Sequence, residues 1–462
     1  MKKPHLRNFA LPIPSLLLEH RRVLTSMWQD SPCSVVNNFF KPTSQKPKEK
    51  TTWSQRGPTE DSPATLLVGK YQPEGTPSEK PGSRRKIAAF DLDSTLITTA
   101  SGRTHANEAT DWKWWHHSVP GRVRELYKDG YQVAIISNQG GLTIHFDANY
   151  KGPQAAKTKA SARVTAFKQK VNAVLTHLDI PTTVYAATAH DIYRKPRTGM
   201  WTELCDDYDI SPDTIDLANS FFVGDAGGRT ATVATGGGTT ATTKDFSCSD
   251  RNFAHNVGGI TFQTPEEFFL GEEPRSFTRE FDLADHPRSE DATVVFEKPK
   301  DTQEVVVMCA PPGAGKSTFF WRHLKPLGYE RINQDILKSR DKCVKVADEH
   351  LSAGKSVAID NTNADADVRA VWINLAKKHK VPARCVWLKT PLVVCEHNNA
   401  ARALNPSLNP EKREILPGMA FRTFKAKFKE PTAKEGFKEV VRVEFQFRGT
   451  EEEYGVWGRY WV

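Results

Sequence analysis

Short, wholly apolar runs separated by longer stretches of helical periodicity organise this chain from residue 87 onward. Ile87 to Phe90, Tyr131 to Ile136 and the run through Phe221, Phe222 and Val223 each end on polar or glycine residues. Runs of this length bounded by turn residues predict strands buried on both faces, as in parallel sheets. The interval from Ser137 to Lys195 reads mostly as helix. The same alternation restarts at residue 304, with strands expected at Glu304 to Cys309, just before Asn333, and at Ser356 to Ile359. Strands alternating with helices indicate an α/β class, here two doubly wound parallel-sheet domains in series.

The residues that end these runs carry the chemistry. Asp91 and Asp93 follow the first run, and a period of two would put both carboxylates on one side of the strand end. Open α/β sheets bind ligands at such ends, where paired carboxylates can hold a divalent cation while one attacks phosphorus. Asp91 is the candidate nucleophile and Asp93 the candidate acid and base. An aspartate-rich turn is the simpler alternative. Ser137 and Asn138, ahead of Gly140 and Gly141, offer hydroxyl and amide groups suited to a phosphate, and Lys195 can neutralise a phosphoryl transition state. Asp225, after Gly224, is a natural additional metal ligand, so Asp91, Asp93 and Asp225 form the expected metal set.

The strand expected at 304–309 runs into Ala310-Pro311-Pro312-Gly313-Ala314-Gly315-Lys316-Ser317-Thr318, a P-loop with alanine in place of its first glycine. Backbone amides from Gly313 to Thr318 would cradle ATP phosphates, Lys316 would reach the outer ones and Ser317 would ligate magnesium. Asp335, placed after a short strand, is a candidate base for an acceptor hydroxyl. Asp360, before Asn361-Thr362-Asn363, either orients magnesium or water or closes an Asx turn. Arg402, on a predicted helix, could reach the transferring phosphoryl group or remain an exposed helix arginine.

Four strand-end elements in the order DLDST, SN, K and GD resemble the haloacid dehalogenase superfamily. That resemblance implies a phospho-aspartate on Asp91, acid and base work by Asp93, phosphate contacts from Ser137 and Lys195, and magnesium near Asp225. Farther along, YRKPRTGMW, FFVGDAGGR, KDFSCSDR, TPEEFF, PPGAGKST, DNTN and HNN together resemble the eukaryotic polynucleotide kinase 3'-phosphatase family from about Leu66 to Phe447. This resemblance implies removal of DNA 3'-phosphate, ATP-dependent phosphorylation of 5'-hydroxyl ends, and matches for Arg194 and Thr95 near the phosphate. Gln334 stands where relatives often carry arginine. Only about sixty residues precede the catalytic region, Pro-, Ser- and Lys-rich past Phe40 and without a regular strand series, so a forkhead-associated domain and phosphopeptide recruitment are not expected.

The organisation expected from composition is a disordered basic tail over 1–61, a phosphatase-like domain over 62–275, a linker over 276–302 with Pro287 and Pro299, and a kinase-like domain over 303–462. Residues 1–60 hold ten Lys and Arg against four Asp and Glu, six of the chain's nine net positive charges. That tail either is simply solvated or adds salt-sensitive phosphate contacts to DNA. The Thr- and Gly-rich stretch 230–243 reads as a flexible loop. Nuclear action is expected, helped by Arg84, Arg85 and Lys86, with a mitochondrial segment at the N-terminus as the alternative. The apolar run from Leu11 to Leu18 is too short to span a membrane, and a monomer is expected. Seven unpatterned cysteines indicate reduced thiols rather than a metal site. Trp112, Trp114 and Trp115 serve either a core or stacking on unpaired bases.

Overall fold

A computed structural model of the chain describes residues 50–76, 79–80, 82–104, 108–146, 151–232, 242–289 and 296–462. Lys50 to Val462 form one compact unit. Most of the expected basic tail, 1–49, therefore lies outside the described residues, as does 233–241 of the Thr- and Gly-rich loop.

The first half contains strands β1 (Thr51–Arg56), β2 (Leu66–Tyr71), β3 (Lys86–Phe90), β4 (Ile97–Thr98), β5 (Lys113–Trp114), β6 (Tyr131–Asn138), β7 (Thr182–Ala187), β8 (Phe221–Val223) and β9 (Thr261–Gln263). Seven of them make one sheet in the order β1-β2-β7-β6-β3-β8-β9. From β7 to β9 all pairings are parallel, the doubly wound pattern expected. The edge departs from it, because β2 runs antiparallel to β7 and β1 antiparallel to β2. The sheet is thus mixed. β1 also lies inside the stretch read as tail, so the ordered chain begins earlier than residue 62.

Alternation along the apolar runs explains why they are strands. Ala88, Phe90, Val133 and Ile135 face one core, while Ile87, Ala89, Ala134 and Ile136 face another on the opposite side of the sheet. Helices cover both. In Gln154–Leu178 the buried residues Phe167, Val171, Val174, Leu175 and Leu178 fall on one face at helical spacing, and the helix stops at Asp179 in a left-handed conformation. Each fully buried Val, Leu or Phe contributes about 2 kcal/mol through removal from water. Trp112, Trp114 and Trp115 pack against the first of these cores, with Trp114 opposite Ile97 in the β4-β5 ladder. That favours the packing role for the cluster.

In the second half, β10 (Val305–Cys309), β11 (Glu330–Ile332), β12 (Val357–Ile359), β13 (Ala383–Leu388) and β14 (Glu439–Val443) form a parallel sheet ordered β11-β12-β10-β13-β14. Val305, Val307 and Cys309 point to one core and Val306 and Met308 to the other. The stretch expected to be a linker is partly structural. Phe281 is buried with Val394, Ala401, Trp457 and Tyr460 of the second half, and residues 290–295 lie outside the described set. Arg84, part of the basic cluster before β3, donates to Glu79 and to the carbonyls of Tyr127 and Tyr131, while Lys86 lies over the Tyr131 ring. These two charges are engaged in packing. Among the described residues no helix is long and apolar enough to cross a membrane, and six cysteines are free thiols.

Candidate active sites at two sheet edges

Parallel pairing of β3 with β8 brings Phe90 level with Val223, so the residues just past these strands meet at one sheet edge. The amide of Asp91 donates to the carbonyl of Val223 at 2.9 Å. Asp225 follows two residues later, and Asp250 enters from the first turn of the helix Ser249–Val257. Carboxylate oxygens of Asp91, Asp225 and Asp250 lie within 4.8 Å of one another. Gly224 is required at this crossing: a Cβ there would sit 2.3 Å from Asp250 Oδ2.

One cation faces the three acids. Lys195 Nζ lies 2.8 Å from Asp91 Oδ1 and 2.8 Å from Asp250 Oδ1, with its side chain 1% exposed. Burial pushes the Asp91 carboxyl up to about 6, with Lys195 opposing the shift and Asp250 adding to it. Asp225 is pushed up to about 8, first by burial and then by Asp250 and Asp91. Lys195 stays above its ordinary value, because the two carboxylates outweigh the burial that would lower it. A crowded set of oxygen donors with a single counter-charge fits a hard divalent cation.

Asp93 does not join this cluster through its side chain. The chain turns after Phe90 instead of continuing extended, Ser94 adopts a left-handed conformation, and Asp93 pairs with Ile97 in an isolated bridge. Its carboxylate is half-exposed, accepting from Lys170 Nζ at 3.0 Å and from Gln139 Nε2 at 2.7 Å. The expectation that Asp91 and Asp93 share one side of a strand end as metal ligands is thereby corrected, and Asp250 supplies the third carboxylate. Asp93 still borders the site, its charge adding to the upward push on Asp91.

Ser137 is buried and accepts from Gln139 Nε2 at 3.0 Å. The Asn138 side chain is engaged by the backbone: its Nδ2 donates to the Lys195 carbonyl at 3.1 Å and its Oδ1 accepts from the Lys195 amide at 2.9 Å. It grips the backbone that carries Lys195. Arg194 keeps a buried Nη1 without a hydrogen-bond partner, beside Gly140, and buried Thr95 Oγ1 is likewise unpartnered. Both remain available to a ligand oxygen.

At the second sheet edge, Gly313 and Gly315 take positive φ values of 76° and 93° ahead of the helix that starts at Lys316. Ala310 has no such conformation, so the missing first glycine costs the loop nothing there. Lys316 is partly buried; desolvation lowers its pKa, and it donates to the Pro311 and Ala310 carbonyls at 2.7 and 3.1 Å. Ser317 Oγ donates to Asp360 Oδ2 at 3.1 Å and accepts from Arg331 Nη2 at 2.7 Å. Arg331 also reaches Asp360 at 2.7 Å through Nε and Glu411 at 2.7 Å. Asp360 is therefore a partner of the P-loop serine. Although burial alone would raise it, Glu411 is held down at about 2 by hydrogen bonds led by Arg331.

Asp335 stands across the cleft. Asn333 caps its helix, accepting from the Asp335 amide at 2.9 Å while donating to the Asp360 carbonyl at 2.9 Å, so the INQD and DNTN segments interlock. The Asp335 carboxylate is mostly exposed and paired with Arg413. Lys316, Ser317, Asp335, Asp360, Arg402 and Arg413 line one cleft of about 820 Å³. Gln334 lies in it too, its amide donating to Asn361 Oδ1. Arg402 is partly buried, with a buried unpartnered Nε, so it is not an exposed arginine of the helix Leu392–Leu404 but one that lines the cleft. In the same helix, buried His397, pushed down to about 4, holds the Trp457 carbonyl, and Asn398 Nδ2 donates to the Gly313 carbonyl at 2.9 Å. A second cavity of about 390 Å³ adjoins Gly313, Gly315, Thr318 and Arg402 on the side of Phe447 and Arg448.

Asp250, Lys170 and Arg331 were not singled out by the sequence, although Asp250 lies inside the KDFSCSDR segment; Gln139 belongs to the segment Ser137 to Gly141 already read as suited to a phosphate.

Residues 86–269 match the family model described as polynucleotide kinase 3 phosphatase, and residues 305–431 match that of an AAA domain. The chain is 35% identical over 440 residues to a bifunctional polynucleotide phosphatase/kinase of Schizosaccharomyces pombe, which covers 92% of this chain and 97% of that protein. It is 32% identical over 377 residues to a putative bifunctional polynucleotide phosphatase/kinase of Acanthamoeba polyphaga mimivirus, covering 78% and 85% of the two chains. The polynucleotide 3'-phosphatase ZDP of Arabidopsis thaliana is 30% identical over 195 residues, 40% of this chain and 24% of that protein.

Proposed function

Because this chain belongs to the family of bifunctional polynucleotide phosphatase/kinases, we propose that it heals DNA strand breaks, hydrolysing 3'-phosphates at the first sheet edge and phosphorylating 5'-hydroxyls with ATP at the second. The observation that carries this reading is the opposite electrostatic design of the two sites. One gathers three carboxylates around a single lysine, and the other gathers Lys316, Arg402 and Arg413 around Asp335.

In the phosphatase half, Asp91 attacks phosphorus as its bond to the 3'-oxygen breaks, and Asp93 donates the proton that oxygen needs. Asp93 then takes a proton from the water that hydrolyses the aspartyl-phosphate. Lys170 and Gln139 hold the Asp93 carboxylate in place beside the site for both steps. Lys195 bears on the phosphoryl oxygens, with Ser137, Thr95 and Arg194 as further contacts. Magnesium held by Asp91, Asp225 and Asp250 would neutralise charge on both the carboxylates and the phosphate.

In the kinase half, P-loop amides and Lys316 hold the triphosphate, and Arg402, which lines the same cleft, would reach the transferring group. The cavity beside Phe447 and Arg448 suits the adenine of ATP. Asp335 accepts the proton of the attacking 5'-hydroxyl, and its pairing with Arg413 orients the carboxylate in the cleft. Ser317 and Asp360 are the groups that would hold a magnesium accompanying ATP.

The deciding experiment gives one nicked duplex with 3'-phosphate and 5'-hydroxyl ends to the wild type, Asp91→Ala and Lys316→Ala. Asp91→Ala should lose only the phosphatase and Lys316→Ala only the kinase. Matched DNA and RNA oligonucleotides in competition should favour DNA at both sites, and equal use of RNA would overturn the DNA assignment.

A further inference from the structure

One run of hydrogen bonds crosses from the kinase half to the turn that carries the phosphatase lysine. It starts at the P-loop, where Asn398 donates to the Gly313 carbonyl and accepts from Trp457 Nε1 at 2.6 Å. Three residues past Trp457 the chain reaches the other half. The Tyr460 amide donates to Asn256 Oδ1 at 2.9 Å, and the Tyr460 carbonyl accepts from Asn256 Nδ2 at 2.7 Å. The Trp461 carbonyl accepts from Arg197 Nη2 at 2.7 Å.

On its phosphatase side, Asn256 Nδ2 also donates to the Pro196 carbonyl at 2.8 Å, so both amide hydrogens and the carbonyl oxygen are used. Arg197 Nη1 donates to the Asp191 carbonyl at 2.9 Å. Pro196 and Arg197 follow directly on Lys195, whose ammonium must stay 2.8 Å from both Asp91 and Asp250. Asn138 clamps the Lys195 peptide from β6, and Asn256 with Tyr460 clamps the next peptide from the opposite direction. The contact is well fixed: Tyr460 is buried, its ring against His255 at 5.1 Å and under the Arg279 guanidinium at 4.9 Å. Among the described residues, the Trp461 carbonyl is the acceptor for Arg197 Nη2, and the Tyr460 carbonyl is the second acceptor for Asn256 Nδ2 beside that of Pro196.

We propose that Asn256 and the Tyr460–Trp461 backbone are positioning groups for Lys195, so that a strap from the kinase half completes the 3'-phosphatase site. The proposal rests on the reading of Lys195 as the phosphoryl-binding group. A displacement of about 1 Å in such a group costs on the order of 10²-fold in rate. Losing the strap should therefore lower turnover more than substrate affinity, which the polynucleotide contacts supply.

The test uses the full chain with Asn256→Ala, Tyr460→Pro, which removes the donating amide, and Lys195→Ala as reference. A 3'-phosphorylated oligonucleotide reads the phosphatase, and a 5'-hydroxyl oligonucleotide with ATP reads the kinase in the same preparation. Asn256→Ala and Tyr460→Pro should each lower phosphatase kcat by about 10- to 100-fold with KM within about twofold, leaving the kinase within about twofold. Unchanged phosphatase kcat overturns the proposal. So does a rise in KM alone, or an equal fall of both activities in both variants, which would mark a purely structural contact. Full activity in Lys195→Ala would remove the underlying reading of Lys195 and the proposal with it, a pattern distinct from the others.

Discussion

Lys195 and Asp250 form a salt bridge at 2.8 Å in which neither side chain is more than 2% exposed, and Asp91 shares the same ammonium. Two buried carboxylates thus depend on one cation. Removing one partner from a buried ion pair costs about 3–5 kcal/mol, because the remaining charge stays desolvated. In Lys195→Met this cost should vary with pH. Asp91 and Asp225 titrate at about 6 and about 8 when folded, above their ordinary value, so the fold binds their protons more tightly than the unfolded chain. Stability from such groups is present at low pH and lost as pH rises through the folded values. Melts in chelator should show a variant deficit that is largest above pH 8 and shrinks below pH 6. A deficit independent of pH would count against the charge argument.

Protons and a divalent cation compete for the same carboxylates. The upward shifts of Asp91 and Asp225 mean that a cation must displace protons below about pH 6 to 8, and none above that range. Without nucleotide, magnesium should raise the melting temperature more at about pH 8.5 than at about pH 5.5. Asp225→Asn should remove most of the gain. Equal stabilisation at both pH values, or full retention in the variant, would place the cation elsewhere.

What the sequence revealed depended on whether an apolar strand preceded the chemistry. Asp91, Ser137, Asp225 and the P-loop were legible because buried runs at Ile87, Val133, Phe222 and Val305 aim their successors at a sheet edge. Asp250 follows no strand; it lies in the first turn of the helix Ser249–Val257, and only folding brings it to Lys195. The position of Asp93 depended on a turn that strand periodicity cannot foresee, since the left-handed Ser94 ends the extension. β1 was hidden because TTWSQR is an edge strand whose outer residues are exposed and polar. Arg331 belongs to no motif and sits in a three-residue strand, yet its guanidinium bridges Asp360, Ser317 and Glu411.

Gly224 allows Asp250 to approach β8. A methyl group at that position would lie 2.3 Å from Asp250 Oδ2 and 2.6 Å from its Cγ, so the helix bearing Asp250 would have to move. The displaced carboxylate would leave Lys195 and lose its bond from the Ala226 amide. Gly224→Ala should lower phosphatase turnover by roughly 10²-fold while the kinase keeps its rate. A phosphatase within about threefold of wild type would show that the helix can shift without cost.

Asp335 combines exposure with a fixed backbone. Its amide is held by Asn333, which is itself tied to the Asp360 carbonyl, so a change of side chain leaves the cleft's frame in place. Replacing it by asparagine keeps the shape and removes the proton acceptor, and general-base loss typically costs 10²- to 10⁴-fold. Asp335→Asn should therefore lower kinase kcat by about that factor with KM for ATP within about threefold, because Lys316 and the P-loop amides are untouched. The phosphatase should be unaffected, its site lying on the other sheet. Arg413 gives an internal check. It pairs with both Asp335 and Glu411, so Arg413→Gln should free Asp335 and cost the kinase less than losing Asp335 itself. If Arg413→Gln proved the more damaging of the two, the arginine and not the carboxylate would be the residue that acts on the substrate.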